Sequence, residues 1–476
     1  MQDNNNNLDS SSLDNNSLNN NNLDLLCVLI LSFCLLVVSA LTGTFMAYPL
    51  LVSLCLFITV LCRRGFSLWS LLQMAWAGAQ QSRPVVEVLL LIGIITAVWM
   101  AAGTVPALVY YGTELISPRF FILWAFLLTS MVSVLTGTSF GATGTIGIAL
   151  MVIARGNLSD AVLNPVAGAI IAGAFVGDRC SPMSSSAHLV ASITHTSLYT
   201  NLRNMVASGL WPLLLSVAFY SVLSLAYPIQ PGETTVTNSL PVFFSLEPVV
   251  LAPAGSLLLL ACLRVNVRLA MLASLGMGLA IAHTIQGYSL PTLFQFTLLG
   301  FQLSEPTPLQ SILLGGGLLP MAKATLVVLI STAFSGIFSG SHTLRFIDTW
   351  LHTIRNPNQL KKATVAVSTV SNLFGCTQTI GILLTSQIMQ SHYLSLATKA
   401  ADTPPGNEQL ALALEDTAVV IAPLIPWNIA GLIPATVLSV GPGFIPYAAY
   451  LFLLPLFFTF KSHLQISANV LNKANR

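Results

Sequence analysis

Long apolar runs separated by short polar interruptions recur along the whole chain. Runs near the length a helix needs to cross a bilayer, about 20 residues, fall at Leu25–Leu41, Phe45–Cys62, Val86–Tyr111, Phe120–Leu135, Met205–Tyr227, Val249–Leu263, Leu269–His283, Ser311–Phe338 and Pro442–Phe460. Others lie inside two regions whose hydrophobic pattern is interrupted by glycine, threonine and carboxylates. The pattern predicts an all-α polytopic membrane protein with about eleven transmembrane segments. Composition agrees with it. Hydrophobic residues make up 54% of the 476 and charged residues only 7%, against roughly 25% charged in soluble domains. With a mean hydropathy of +0.80, the lipid bilayer is the expected solvent.

The two interrupted regions resemble each other. FGATGTIGI at Phe140–Ile148 and FGCTQTIGI at Phe374–Ile382 share seven of nine residues. An acidic residue and a proline follow each. AGAFVGDRCSPMSSSAHLVASITHT carries Asp178 and Pro182, and ALALEDTAVVIAPLIPWNIAGLIPATVLSV carries Glu415, Asp416 and Pro423. The offsets are 234 residues at TIGI and 241 at the prolines. They predict an internal duplication, with a first repeat at 85–210 and a second at 311–440. Around it the chain divides into a tail at 1–22, leading spans at 23–84, connecting spans at 211–310 and a last span with its tail at 441–476.

Duplicated halves with broken helices suit a secondary transporter. Pro182 and Pro423 each remove a backbone donor and break a helix. The freed carbonyls and amides are tolerated at membrane depth only beside protein or a water-filled cavity, where they can hold ions. Asp178, Asp416 and Glu415 each carry a penalty of at least ~2.5 kcal/mol at the bilayer centre on insertion scales. Proton or cation binding would justify that penalty. A structural pair, such as Asp178 with Arg179, is the plainer alternative. Thr138, Ser139, Ser181, Ser185, Thr377, Thr417 and Asn428 could supply neutral oxygens to a substrate.

Charge and cysteine usage exclude other classes. A net charge of +2 without a basic cluster offers nothing to nucleic-acid phosphates. Cys27, Cys34, Cys55, Cys62, Cys180, Cys262 and Cys376 form no CxxC pair, so no disulfide framework or transition-metal site is expected. Gly137–Gly141 matches GxSxG, but a nucleophile elbow needs a strand before its serine. This run lies between apolar helical stretches, and an intramembrane serine hydrolase is the distant alternative. No prosthetic group is expected. The first 22 residues contain ten Asn and no Lys or Arg, a composition that predicts disorder and lacks the basic start of a secretory signal. Arg63, Arg64 and Arg83 cluster in one connection, and Arg345, Arg355, Lys361 and Lys362 in another. Lys461, Lys473 and Arg476 follow the last span. The positive-inside rule makes all three cytoplasmic and puts both termini inside.

At the level of whole segments the chain resembles the NhaC family of Na+/H+ antiporters, within the broader ion-transporter superfamily. The resemblance runs through LLIGIITAVWMAAGTVPALVYYGTELISP (Leu90–Pro118), LTGTSFGATGTIGIAL (Leu135–Leu150), GAIIAGAFVGDRCSPMS (Gly168–Ser184), GGGLLPM (Gly315–Met321) and EDTAVVIAPLIPWN (Glu415–Asn428). It implies two inverted repeats, each giving a re-entrant hairpin and a broken helix, in a multi-pass protein of the cytoplasmic membrane. It further implies exchange of cytoplasmic Na+ for external protons, the cation held at the residues named above. Some relatives exchange malate for lactate, so a small organic anion is the alternative substrate, and a homodimer stays open. The chain departs from the family where S-P-L-S-D-T-T-N-L is usual. Here Ser185 replaces the Asp and His188 the Asn. That removes a charge from a cation site and adds a group able to titrate near neutral pH, which points to altered coupling or another substrate.

Overall fold

The computed structural model describes residues 10–115, 118–157, 160–227, 241–263, 265, 267–302, 316–341, 356–397 and 406–460. These are helical apart from their connections. Three helices lead in: α1 (Ser10–Thr42), α2 (Ala47–Arg63) and α3 (Leu68–Gln81). After α4 (Arg83–Ala101) and α5 (Thr104–Leu115), α6 (Phe121–Thr136) turns sharply into α7 (Ser139–Ala142). That helix continues through a π-helical turn, Thr143–Gly147, into α8 (Ile148–Asn157). Next come the two halves of a broken helix, α9 (Asp160–Cys180) and α10 (Ser185–Thr194), and then α11 (Leu198–Ala226). Between the repeats lie α12 (Ala252–Cys262), α13 (Val267–Thr284) and α14 (Leu290–Leu299). The second half holds α15 (Leu318–Gly340), a hairpin of α16 (Pro357–Gly375) and α17 (Gln378–Ala397), and α18 (Gly406–Asp416) with α19 (Ala418–Ile421). A 3-10 turn (Ala422–Leu424), α20 (Ile429–Val437), a second 3-10 stretch (Pro442–Tyr447) and α21 (Ala449–Phe460) complete it.

Among the described residues four helices are individually long and apolar enough to cross a bilayer: Asp24–Thr42, Arg83–Ala101, Leu198–Ala226 and Leu318–Gly340. The pair Gly406–Leu424 and Ile429–Val437, bent by 51°, passes the same test when taken as one span. Further apolar helices among the described residues are shorter, 10–17 residues. Two boundaries differ from the sequence reading. Helix α1 already begins at Ser10, within the Asn-rich stretch expected to be disordered, and residues 1–9 lie outside the described residues. The run expected from Ser311 is helical from Leu318, and the part before residue 316 is also outside them, as are Arg345, Arg355, Lys461, Lys473 and Arg476. Side chains as large as Leu41, Trp69, Tyr199 and Phe460 are more than two-thirds exposed. That is the outer face of a protein whose neighbours are lipid.

Glycine sets the closest helix contacts. At Gly177 of α9 a Cβ would lie 2.0 Å from the backbone carbon of Ser133 in α6, and at Gly173 it would lie 2.6 Å from the Phe126 carbonyl. The Ser133 hydroxyl donates to the Ala174 carbonyl across this seam. Helices α3 and α15 meet the same way, since a Cβ on Gly78 would lie 2.2 Å from the Thr332 carbonyl. Small residues at such crossings are the usual means of association in lipid, where helix surfaces gain nothing from leaving water.

The two hairpin turns and the two helix interruptions share local backbone features, in a register different from the sequence match. The first hairpin turns at Gly137 (φ 69°) and the second at Cys376 (φ 52°), both left-handed. After each comes a threonine whose hydroxyl accepts from the amide three residues on: Thr138 from Gly141 (3.3 Å) and Thr377 from Ile380 (3.2 Å). Thr138, not Thr143, is therefore the partner of Thr377. The FGxTxTIGI match places the first copy after its turn and the second across it. At the breaks, Ser184 caps α10 and Asn428 caps α20. The two helices end on left-handed His195 and Ser439 with matching hydrogen bonds, His195 N to Ser192 O and Ser439 N to Thr436 O. Pro182 thus pairs with Pro426, which lies in the break, while Pro423 sits in the 3-10 turn before it.

The α6–α9 seam makes a stability prediction. Gly177→Val must push two backbones apart, an overpacking that costs about 1–3 kcal/mol or more. The purified protein should melt several degrees lower in detergent. Gly255→Ala and Gly276→Ala, where a Cβ meets nothing within 4 Å, should melt as the wild type does.

Candidate functional site

The broken helices bring four charged residues into the interior. Asp178, Arg179, Glu415 and Asp416 are each at most 5% exposed. Asp178 is three residues before the first break, on the last turn of α9, and its own carbonyl is one of those a helix end leaves without an internal partner. Ser184 and Ser186, beyond the break, both donate to that carbonyl, Ser186 at 2.7 Å. The polyserine stretch thus closes the backbone at the interruption and leaves the Asp178 carboxylate for other partners.

Those partners come from the two hairpin tips. The Ser139 backbone amide donates to the carboxylate, and the Gln378 side chain donates from Nε2 to Oδ2 at 2.8 Å. Ser139 and Gln378 are each the first residue after the capping threonine, so they occupy equivalent places in the two hairpins. Both tips converge on one carboxylate. Its own counterpart in the second break is apolar Ala422, so the duplicated frame carries a single acidic group at this point.

Asp416 and Arg179 form a separate arrangement. The Arg179 guanidinium is wholly buried and donates to Asp416, to the Ser208 hydroxyl (2.7 Å), to the Met205 carbonyl (3.1 Å) and to the Tyr450 hydroxyl (3.4 Å). Ser208 also donates to Asp416 at 3.1 Å. The pair of Arg179 with Asp178 considered from sequence is replaced by this one with Asp416, across the two halves. Glu415 is different again. It is fully buried, and neither carboxyl oxygen has a hydrogen-bond partner. A lone ionised carboxylate in such a place is very costly. Glu415 is therefore held as the neutral acid or beside a cation. Among the described residues no three His, Cys, Asp or Glu side chains converge as metal ligands, so the three carboxyls do not form one multidentate cage.

The neutral oxygens named from sequence are scattered. Ser181 donates to Val134 O at 2.7 Å, and Thr417 is occupied by Ser368 and Ala413 O. Asn428 ties α20 to the Asn372 carbonyl at 3.0 Å while capping its own helix. Thr138 is a cap. Ser185 and His188 are exposed, on the face of α10 turned from Ser184 and Ser186, and His188 Nε2 contacts the Pro182 carbonyl at 3.0 Å. Thr377 is half-buried and lines a cavity of about 380 Å³, together with Gln378, Thr332 and Ser335. Ser139 follows a helix rather than a strand, so the nucleophile elbow lacks its context.

Two functional positions escaped the sequence reading. Gln378 stands inside FGCTQTIGI where the first copy has Gly144, and that polar replacement within a repeat was its signal. The role of Arg179 was signalled by its being the lone basic residue among three buried acids.

Removing one partner of a buried ion pair strands the other charge, at about 3–5 kcal/mol. Asp416→Asn should therefore reduce yield and melting temperature sharply. Arg179→Met combined with Asp416→Leu should recover much of that loss, measured by thermal unfolding of purified protein. Recovery would mark the pair as structural.

With the geometry in hand, comparison with known proteins is informative. A profile of the Na+/H+ antiporter family matches residues 173–459, a range holding all four buried charges and the second hairpin. The Na(+)/H(+) antiporter NhaC of Alkalihalophilus pseudofirmus is 29% identical, over 77% of this chain and 79% of its own. The Malate-2H(+)/Na(+)-lactate antiporter of Bacillus subtilis is 27% identical over 81% and 82%. The Arginine/ornithine antiporter ArcD of Halobacterium salinarum is 27% identical over 76% and 74%. The profile covers more than half of the sequence, including both broken-helix interruptions, and the chain belongs to the Na+/H+ antiporter family.

Proposed function

We infer that the protein is a secondary active antiporter exchanging Na+ for H+ across the cytoplasmic membrane by alternating access. The observation that carries this reading is the meeting of Ser139 and Gln378, equivalent residues of two hairpins, on the single carboxylate Asp178. A group reached from both repeats is well placed to face either side in turn. Family membership supports the substrate pair. On this reading the two halves are inverted repeats within about eleven spans, and both termini lie in the cytoplasm.

Asp178 and Glu415 do the exchange. Each needs a positive charge while buried, and a proton or a Na+ supplies it, so binding of one expels the other. Asp416 keeps its charge for Arg179 and serves position rather than exchange. Thr377, with nearby backbone oxygens, supplies neutral ligands. An organic anion of the malate or lactate type is the second substrate class. It is less favoured here because the buried guanidinium of the cluster is already engaged by Asp416, leaving the carboxylates to repel it.

Purified protein in liposomes should take up 22Na+ when an outward-directed proton gradient is imposed. Asp178→Asn and Glu415→Gln should each lower that rate at least a hundredfold while the protein stays folded. Near-normal rates in either variant would remove that residue from the exchange. His188→Asn should leave the pH profile of transport unchanged, because its ring is exposed and engaged by the Pro182 carbonyl. A changed profile would instead give His188 a coupling role.

A further inference from the structure

We propose that the cavity beside the second hairpin is the vestibule through which a small hydrated monovalent cation reaches Asp178, and that the Gln378 amide closes its inner end by occupying the carboxylate until the cation displaces it. The inference rests on the reading of Asp178 as the exchange site.

The cavity holds about 380 Å³. At ≈ 30 Å³ per water, that is room for on the order of ten waters, enough for a small cation inside its first hydration shell. Gln81 and Thr379 are exposed and form the mouth, while Thr332 and Ser335 are buried along the wall. All are neutral, apolar Val85, Phe140, Ile380 and Ile429 share the lining, and among the described residues no Lys, Arg, Asp or Glu lines the space. Arg83, just beyond Gln81, is turned to Glu87 at 3.0 Å. A charged organic substrate would find no counter-charge here, whereas neutral oxygens suit a hard cation. Ser335 is 2% exposed and its hydroxyl has no protein partner.

Gln378 stands where the cavity meets Asp178. It lines the space and is half-buried, and its Nε2 reaches Asp178 Oδ2 at 2.8 Å and the Val419 carbonyl at 3.2 Å. Both partners only accept, which fixes the NH2 group toward the carboxylate. The N–H donor takes up one of the carboxylate's lone pairs, so the amide competes with an arriving cation and its withdrawal frees a ligand position. The other hairpin cannot do this. Its donor to Asp178 is the Ser139 backbone amide, held by the turn, whereas Gln378 offers a side chain with three rotatable bonds. One donor is permanent and the other removable.

The test uses full-length protein in liposomes, with the native cysteines replaced. Ser335→Cys should react from one face of the membrane with a trimethylammonium-ethyl thiosulfonate, and the modification should lower Na+/H+ exchange at least tenfold. Gln378→Ala removes the competitor, so the Na+ concentration for half-maximal exchange should fall about tenfold, the order expected for one hydrogen bond to a charged group. If Gln378→Ala fails to insert, Gln378→Met carries the same expectation. An unreactive Ser335→Cys, or a modified one that still exchanges normally, would overturn the vestibule. A half-saturating concentration at or above that of the wild type in the Gln378 variants would overturn the competing amide. Either result alongside wild-type Na+/H+ exchange leaves the functional reading standing. Absence of Na+ exchange in the wild type would overturn both.

Discussion

A guanidinium with no exposed surface, in a protein surrounded by lipid, can only be satisfied by other parts of the chain. The two terminal nitrogens of Arg179 on α9 donate to Asp416 on α18, Ser208 and Met205 on α11, and Tyr450 on α21. The pair adds little net stability against an apolar replacement, since the cost of desolvating both charges offsets most of the attraction. What it adds is position. Asp178 precedes Arg179 in sequence and Glu415 precedes Asp416. Once the ion pair fixes where the two broken helices cross, both remaining carboxyls are carried to the same region. The latch and the site are neighbours along the chain, so neither can move independently of the other.

The local likeness of the two halves accounts for much of the rest of the geometry, and their differences for its asymmetry. Two hairpins with left-handed turns and threonine caps arrive at one point, and two breaks end in helices with the same capping pattern. Strict equivalence would have given two identical acidic sites. The second half instead has Ala422 where the first has Asp178, and its acids lie about two helical turns before its break. One carboxylate therefore stands at the meeting of the tips, and the second pair stands behind it. The frame is symmetric and the chemistry is not.

Hydropathy made the membrane class legible, and the family emerged from a set of short segments. Asp178, Glu415 and Asp416 were visible as carboxylates with no business in lipid. The roles of those three were not legible, because pairing depends on which helix faces cross. Arg179 could have served its neighbour Asp178, yet adjacent residues on a helix point about 100° apart, and its long side chain reaches α18 instead. The register of the repeat also misled. FGxTxTIGI is the strongest identity in the chain, but a Gly-Thr-rich stretch suits both a turn and a tightly packed helix arm, and the two copies use it differently. Pro423 likewise looked like the break. Proline is tolerated in the first turn of a helix, and it is Pro426, outside any helix, that matches Pro182.

The arrangement also limits what the transport cycle can do. Arg179 and Asp416 cancel each other's charge. If exchange runs through Asp178 and Glu415, these two are the negative charges that must be compensated before the buried cluster can change its exposure. Asp178 has a partial answer in its two N–H donors, and Glu415 has none. Hydrogen bonds from neutral donors spread a carboxylate's charge but do not cancel it, so an empty, doubly ionised cluster is the state least able to cross. Compulsory exchange follows from that penalty. On that reading the site can return only when a proton has replaced the cation or a cation the proton, and leakage of either alone is opposed by the cost of carrying bare charge through lipid.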